Sequence, residues 1–303
     1  MDLSLYPVTT QEKIKRISDI LVQMNKIPLL KDHLSFYGGT ALNFLYLNAP
    51  RLSEDLDFNY REMDMQDWGK VRNDIDRETK RVLYDLGYDS EHIKIQPSYA
   101  LCRFYIEYVN SRGIKDSIKI ETGYMRRIPI LKDDTFKEFI HPVTEQRINV
   151  KTPVKEELFA NKFCTLFSRQ KISVRDLYDV YSISSADFDL SLFIDVVMIE
   201  SLFMNIDITC FPLKRMDEKT LTGRVQDLVV RETDWRAIKE KVKSFIETVQ
   251  TELESRDYPQ FIREFNTNNT INIERINNKS KLHDGLQTHP LLLWLIEKKG
   301  RNP

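Results

Sequence analysis

Between Thr10 and Met24 the apolar residues Ile14, Ile17, Ile20, Leu21 and Met24 recur at helical spacing, which predicts an amphipathic helix. A short apolar run, Leu34 to Tyr37, then meets Gly38-Gly39-Thr40 and a helical stretch from Ala41 to Leu47, a pattern of strand, tight turn and helix. After the polar loop Asn48 to Asp55, Leu56 to Tyr60 predicts a second strand, and the charged stretch 63–86, with spaced apolar positions, predicts a helix. Ile93 to Ile95, Tyr99 to Tyr108 and Ser117 to Tyr124 read as strands, the last two joined by the turn-forming Asn110-Ser111-Arg112-Gly113. From Pro153 the period lengthens: Glu156 to Ser168, Arg175 to Ile183, Leu190 to Met204, Trp235 to Glu254 and Pro259 to Phe265 favour helices, and the Asn-rich Asn266 to Asn278 favours a loop. The expected fold class is α+β, an α/β domain over 1–152 followed by a mainly helical domain over 153–303, with Thr152-Pro153 at the junction.

Composition sharpens one point of this pattern. Glycine is scarce, 9 in 303 residues, about half the usual ~7%, so the adjacent pair Gly38-Gly39 marks a place where the backbone turns sharply. Lys+Arg 45 against Asp+Glu 46 leaves a net charge of -1, balanced in both halves, which excludes a generally basic nucleic-acid coat; any polyanion site must be local. The cysteines, Cys102, Cys164 and Cys210, are far apart and each sits in an apolar run, so buried thiols are expected rather than a disulfide scaffold or a zinc site. The opening MDLSLYPVTTQEKIKRI never reaches a signal-peptide h-region and the late run Leu291 to Ile296 is too short to span a bilayer, so a cytoplasmic protein without a membrane partner is expected.

The segment FYGGTALNFLYLNAPRLSEDLDFNY, Phe36 to Tyr60, carries the most chemistry. Side chains alternate along a strand, so Asp55 and Asp57 share one face while Leu56 and Phe58 take the core. Two like charges in one small volume resist joint ionisation unless a divalent cation neutralises them, and Mg²⁺ with carboxylates and substrate phosphates is the usual solution. An acidic pair on a solvated strand face is the competing explanation. The Gly38-Gly39-Thr40 turn between a strand and a helix offers backbone N–H groups to a phosphate. In Ile118-Lys119-Ile120-Glu121 the same alternation sends Glu121, with Lys119, away from the core, a third acid for two Mg²⁺ ions and transfer at phosphorus. In the helix Glu156 to Ser168, Lys162 falls inside the arc of Leu158, Phe159, Phe163, Leu166 and Phe167; it is either a snorkelling stem or a cation aimed at a triphosphate. Asp176 and Asp179 follow at i, i+3, with helix capping by Asp176 as the alternative role.

In order and content, Gly38-Gly39-Thr40-Ala41-Leu42, Arg51-Leu52-Ser53-Glu54-Asp55-Leu56-Asp57-Phe58, Lys119-Ile120-Glu121, Lys162 and Arg175-Asp176-Leu177-Tyr178-Asp179 resemble the AbiEii/AbiGii toxin family, relatives of the DNA polymerase β-type nucleotidyltransferases found in bacterial abortive-infection and toxin–antitoxin pairs. The resembling motifs span residues 36 to 181. The resemblance implies a polymerase β-like nucleotidyltransferase domain with a mixed sheet and a helical second domain. It implies Mg²⁺ or Mn²⁺ on Asp55, Asp57 and Glu121, where the family often has Asp in place of Glu121. Gly38, Gly39, Thr40 and Ser53 meet the triphosphate of an NTP, and Lys162 with Asp176 completes the site from the helical half; Arg51 either joins the triphosphate contacts or pairs with Glu54. The implied acceptor is RNA, the 3′ end of tRNA, and the implied partner a cognate antitoxin. A protein side chain as acceptor, and a catalytically silent module of the same fold, are the alternatives. Lys214, Arg215, Lys219, Arg224 and Arg231, or Lys298, Lys299 and Arg301, supply either an RNA-backbone patch or ordinary solvated faces beside Asp217, Glu218, Asp227 and Glu232.

Overall fold

The computed structural model describes residues 2–62, 68–211, 216, 221–223, 226–229 and 234–301. It divides into two compact units: Met1–Ile128, Asp134–Pro153 and Gln226–Arg231 form the first, and Pro129–Asp133, Val154–Val225 and Glu232–Pro303 the second. Lys214, Arg215, Lys219, Arg224 and Arg231 lie outside the described residues.

The first unit opens with α1 (Val8–Met24), α2 (Pro28–His33), β1 (Leu34–Tyr37) and α3 (Gly38–Ala41), the last prolonged by a π-helical turn over Leu42–Tyr46. β2 (Asp55–Tyr60), α4 (Trp68–Asp85), β3 (Ile93–Pro97), β4 (Leu101–Val109) and β5 (Lys115–Gly123) follow. The strands form a mixed sheet in the order β1-β2-β5-β4-β3, in which β2 and β5 run parallel and every other pair antiparallel. Alternation does what the sequence requires: Leu56, Phe58, Cys102, Phe104, Ile106, Ile118 and Ile120 are all buried. The buried stripe of α1, Ile14, Ile17, Ile20 and Leu21, covers this apolar face beside α4. The opposite face of the sheet keeps the charged and polar side chains.

A second hairpin, β6 (Thr135–Ile140) with β7 (Arg147–Thr152), belongs to the same unit and has no counterpart in the sequence pattern. In β6 Phe139 is the buried position and Phe136 and Ile140 are exposed, so the hydrophobic alternation that marks a half-buried strand is missing.

In the second unit α5 (Lys155–Ser168), α6 (Val174–Ile183), α7 (Leu190–Met204), α8 (Trp235–Ser255), α9 (Tyr258–Asn268) and α10 (Pro290–Arg301) pack around α7, which is buried from Leu192 to Phe203. An aromatic cluster of Phe163, Phe188, Phe193 and Phe245 fills the space between α5, α7 and α8. Residues 129–133 join this unit because Glu157, buried on α5, accepts hydrogen bonds from Ile130 N (2.9 Å) and Leu131 N (3.1 Å), which ties that loop to the helices. Among the described residues no helix is long and apolar enough to cross a membrane.

The three cysteines are free, and Cys102 and Cys164 are buried, but Cys210 is exposed. The segment around it is interrupted by Asp207 and Thr209, and Ile208 and Phe211 take the buried positions while the cysteine turns outward. Burial, together with the Asp76 carboxylate beside it, pushes the Cys102 thiol up to about 12, so it carries almost no nucleophilic thiolate at neutral pH. Iodoacetamide at pH 8 is therefore expected to label Cys210 alone in the folded protein, read by peptide mass; modification of Cys102 at a comparable rate contradicts this packing.

Candidate active site

The register of the first two strands builds the site. Tyr37, the last residue of β1, pairs with Asp57 of β2, so the chain leaves β1 directly over that aspartate. Gly38 turns there with φ +72°, and a Cβ added to it lies 2.2 Å from Asp57 Oδ2 and 2.9 Å from Asp57 Cγ. No other residue type fits: the conformation disfavours L side chains and the carboxylate already occupies their space. One residue on, a Cβ added to Gly39 lies 3.0 Å from Ser53 Oγ and 3.1 Å from Arg51 Nη2. Thr40 Oγ1 donates to the backbone carbonyl of Asp55, and Asn43 Nδ2 donates to that of Gly39 at 2.8 Å, which pins the turn from both sides.

Arg51 is 2% exposed. Its Nη1 donates to Leu52 O at 2.7 Å, while Leu52 N donates to Leu228 O at 2.7 Å, so a remote segment of the same unit anchors the loop. The structure thus gathers Gly38, Gly39, Thr40, Arg51, Ser53 and Asp57 around one turn. Arg51 and Ser53 present polar side chains to the glycine backbone, which suits a phosphate.

Across the sheet, the parallel register sets Asp55 beside Lys119 and Asp57 beside Glu121, and β4 sets Arg103 beside Glu121 and Tyr105 beside Lys119. Lys119 Nζ lies 3.5 Å from Asp57 Oδ1 and 3.9 Å from Asp55 Oδ2. Partial burial lowers the Lys119 pKa, but Asp57, Asp55 and Glu121 more than offset it and hold the ammonium above its ordinary value. Arg103 Nε donates to Glu121 Oε2 at 2.5 Å, and this hydrogen bond raises the guanidinium above its usual range.

The expectation of three carboxylates converging on an ion is therefore met differently. Glu121 shares the face and register of Asp57, but its carboxylate is engaged by Arg103, and among the described residues no group of three His, Cys, Asp or Glu side chains is placed to hold a metal ion. Asp55 and Asp57 are hard oxygen donors on one face, beside a turn without side chains. That set fits Mg²⁺ or Mn²⁺, which takes one or two carboxylates and completes its shell with water and substrate phosphate.

In the helical unit, Lys162 Nζ lies 2.7 Å from Asp176 Oδ1 and 2.9 Å from Asp179 Oδ2, with the two aspartate side chains 5% and 0% exposed. The ammonium is thus paired between two buried carboxylates instead of snorkelling to water. Arg169 Nε adds a contact at 3.1 Å to Asp176 Oδ2. Ser173, not Asp176, caps α6, by accepting from Arg175 N, which leaves Asp176 to these cations.

Two participants were not singled out from the sequence: Arg103, and Lys119 as the shared partner of both aspartates. The signal for Arg103 was present. The Asn110–Gly113 turn fixes the β4–β5 register, in which Val109 pairs with Lys115, and counting six residues back along β4 and six forward along β5 sets Arg103 opposite Glu121.

Among protein-family profiles, one described as nucleotidyl transferase AbiEii toxin, type IV TA system, matches residues 19–268. Among solved structures, the chain is similar to MenT4, a nucleotidyltransferase toxin from Mycobacterium tuberculosis H37Rv, with TM-score 0.52 and 16% identity over 95% of this chain and 91% of that chain, a likeness of fold. It is also similar to an antigenic nucleotidyltransferase-like protein from Paracoccidioides brasiliensis, with TM-score 0.38 and 12% identity over 80% of this chain and 91% of that one. No curated protein sequence matches.

Proposed function

Because the chain belongs to the AbiEii family, nucleotidyl transferase toxins of type IV toxin–antitoxin systems, we propose that it transfers a nucleotidyl group from an NTP to RNA, at the 3′ end of tRNA, in the cytoplasm. The observation that carries this reading is the abutment of the Gly38-Gly39 turn on Asp57, Ser53 and Arg51. A phosphate chain laid on that turn meets backbone N–H groups without side-chain interference, the hydroxyl of Ser53 and the buried guanidinium of Arg51. Asp55 and Asp57 hold the divalent cation, with Glu121 as the third acid of the face. When bound, the ion supplies neutralisation of phosphate charge and acidifies the attacking hydroxyl. The acceptor oxygen joins the α-phosphorus, pyrophosphate leaves, and the hydroxyl proton passes to solvent or to a carboxylate of this face. Within the helical unit, Asp176 and Asp179 hold the Lys162 ammonium. A cognate antitoxin follows from the family, and on this reading it relieves the loss of usable tRNA.

The test incubates purified protein with total tRNA, Mg²⁺ and each labelled NTP in turn. Label is expected in RNA with at least one NTP and is expected to vanish in Asp55→Ala. Label in protein with none in RNA replaces the acceptor, and no transfer with any NTP to either acceptor overturns the activity.

A further inference from the structure

The sheet face carries its own counter-charge. Three carboxylates, Asp55, Asp57 and Glu121, stand beside two cations, Lys119 and Arg103, but the two cations are held in different ways. Arg103 makes a short, directed hydrogen bond to Glu121 at 2.5 Å. Lys119 is shared: its Nζ stands 3.5 Å from one aspartate and 3.9 Å from the other, beyond the roughly 2.7–2.9 Å of a fully formed charged hydrogen bond. A shared ammonium at this range relieves the repulsion of the pair without locking to either carboxylate. Its side chain is 30% exposed, and a four-carbon stem can swing the charge into water with little cost in packing.

We propose that Lys119 is a built-in competitor of the divalent cation: it holds Asp55 and Asp57 together when the site is empty and gives way on loading, so it sets the metal concentration at which the site fills. The inference rests on Asp55 and Asp57 as the metal-binding pair. Lys119 acts through those carboxylates and is a positioning residue. Removing its charge takes the shared ammonium away from both carboxylates, which raises their attraction for a divalent ion and weakens the empty fold.

The test measures Mn²⁺ binding to the full-length protein, without nucleotide, from the free-ion EPR signal at low salt, and thermal unfolding in EDTA. Lys119→Met is expected to bind Mn²⁺ about tenfold tighter than wild type, the advantage shrinking as ionic strength rises, and to unfold at a lower temperature in EDTA. Lys119→Arg, whose fork grips carboxylates more firmly, is expected to bind Mn²⁺ several-fold more weakly; it keeps the question answerable if Lys119→Met does not fold. Asp57→Asn is expected to lose binding in every background. Wild-type binding with an unchanged or weaker affinity in Lys119→Met, or an unchanged or tighter one in Lys119→Arg, overturns the role of Lys119 alone. Absence of Mn²⁺ binding in wild type and Lys119→Met, or full binding by Asp57→Asn, overturns the metal assignment as well.

Discussion

Asp57→Ala is expected to lower nucleotidyl transfer by about three orders of magnitude, because a cation-supported phosphoryl transfer loses several kcal/mol when one of its two principal carboxylates is removed, and each ~1.4 kcal/mol is a factor of ten. The fold is expected to tolerate the change: the Asp57 side chain is 29% exposed, and Lys119 keeps Asp55 as a partner. The unfolding midpoint should therefore move by only a few degrees while label transfer falls to background. Gly38→Ala is the informative companion. It leaves every carboxylate in place but inserts a methyl group 2.2 Å from Asp57 Oδ2 at a backbone φ of +72°, so the turn or the aspartate must move. A loss of activity comparable to that of Asp57→Ala, with all acids retained, ties the chemistry to the contact between turn and strand. Near wild-type transfer by either variant contradicts the assignment.

Arg256→Ala is expected to remove about 3–5 kcal/mol of stability from the helical unit, the usual penalty for stranding a buried carboxylate. Asp195 lies in the middle of the buried α7 and is 0% exposed. Arg256 Nη1 donates to its Oδ1 at 2.7 Å and to Ser191 O at 2.9 Å. The other oxygen accepts from Asn278 N at 2.9 Å and Asn278 Nδ2 at 2.7 Å. Both carboxylate oxygens are thus engaged, and the Asn-rich segment after α9 is held to α7 through the same carboxylate. Without the guanidinium the charge has no compensation and its desolvation cost remains. The effect is expected as faster amide hydrogen exchange in α7 and α8 and a lower urea midpoint, with exchange in the β2–β5 strands unchanged. Adding Asp195→Asn to Arg256→Ala should recover part of the loss, since a neutral amide is cheaper to bury than an unpaired carboxylate. A double variant less stable than the single one would show that the burden is packing, not charge.

The two halves of the molecule were not equally legible. The strand, turn and helix around Gly38-Gly39 and the alternation of Asp55 and Asp57 are local patterns, and the structure places them at β1, α3 and β2. The helix expected over 63–86 is described from Trp68 to Asp85, its first residues lying outside the described ones. The short α2, the β6–β7 hairpin and α10 escaped notice for different reasons. α2 has six residues, too few for a period to show. β6 has lost its alternation, and the apolar run of α10 is continuous, with Leu293 and Trp294 exposed beside buried Leu292, so no face stands out. Cys210 shows the limit of reading burial from neighbours: Ile208 and Phe211 are buried and the cysteine beside them is exposed.

Sequence alone determined which side of each strand the acids occupy, because the two-residue repeat of a strand is a property of the chain itself. It also marked Gly38-Gly39 as a sharp turn, while the intolerance of any side chain at Gly38 came from the structure, in its φ of +72° and the Asp57 carboxylate beside it. Only the tertiary structure decided the partners: Lys119 for both aspartates, Arg103 for Glu121, Asp176 and Asp179 for Lys162, and Leu228 for the loop that carries Arg51. Periodicity is written in neighbouring residues, whereas charge pairing depends on strand register and on which distant segments pack together, and those are fixed by the whole fold.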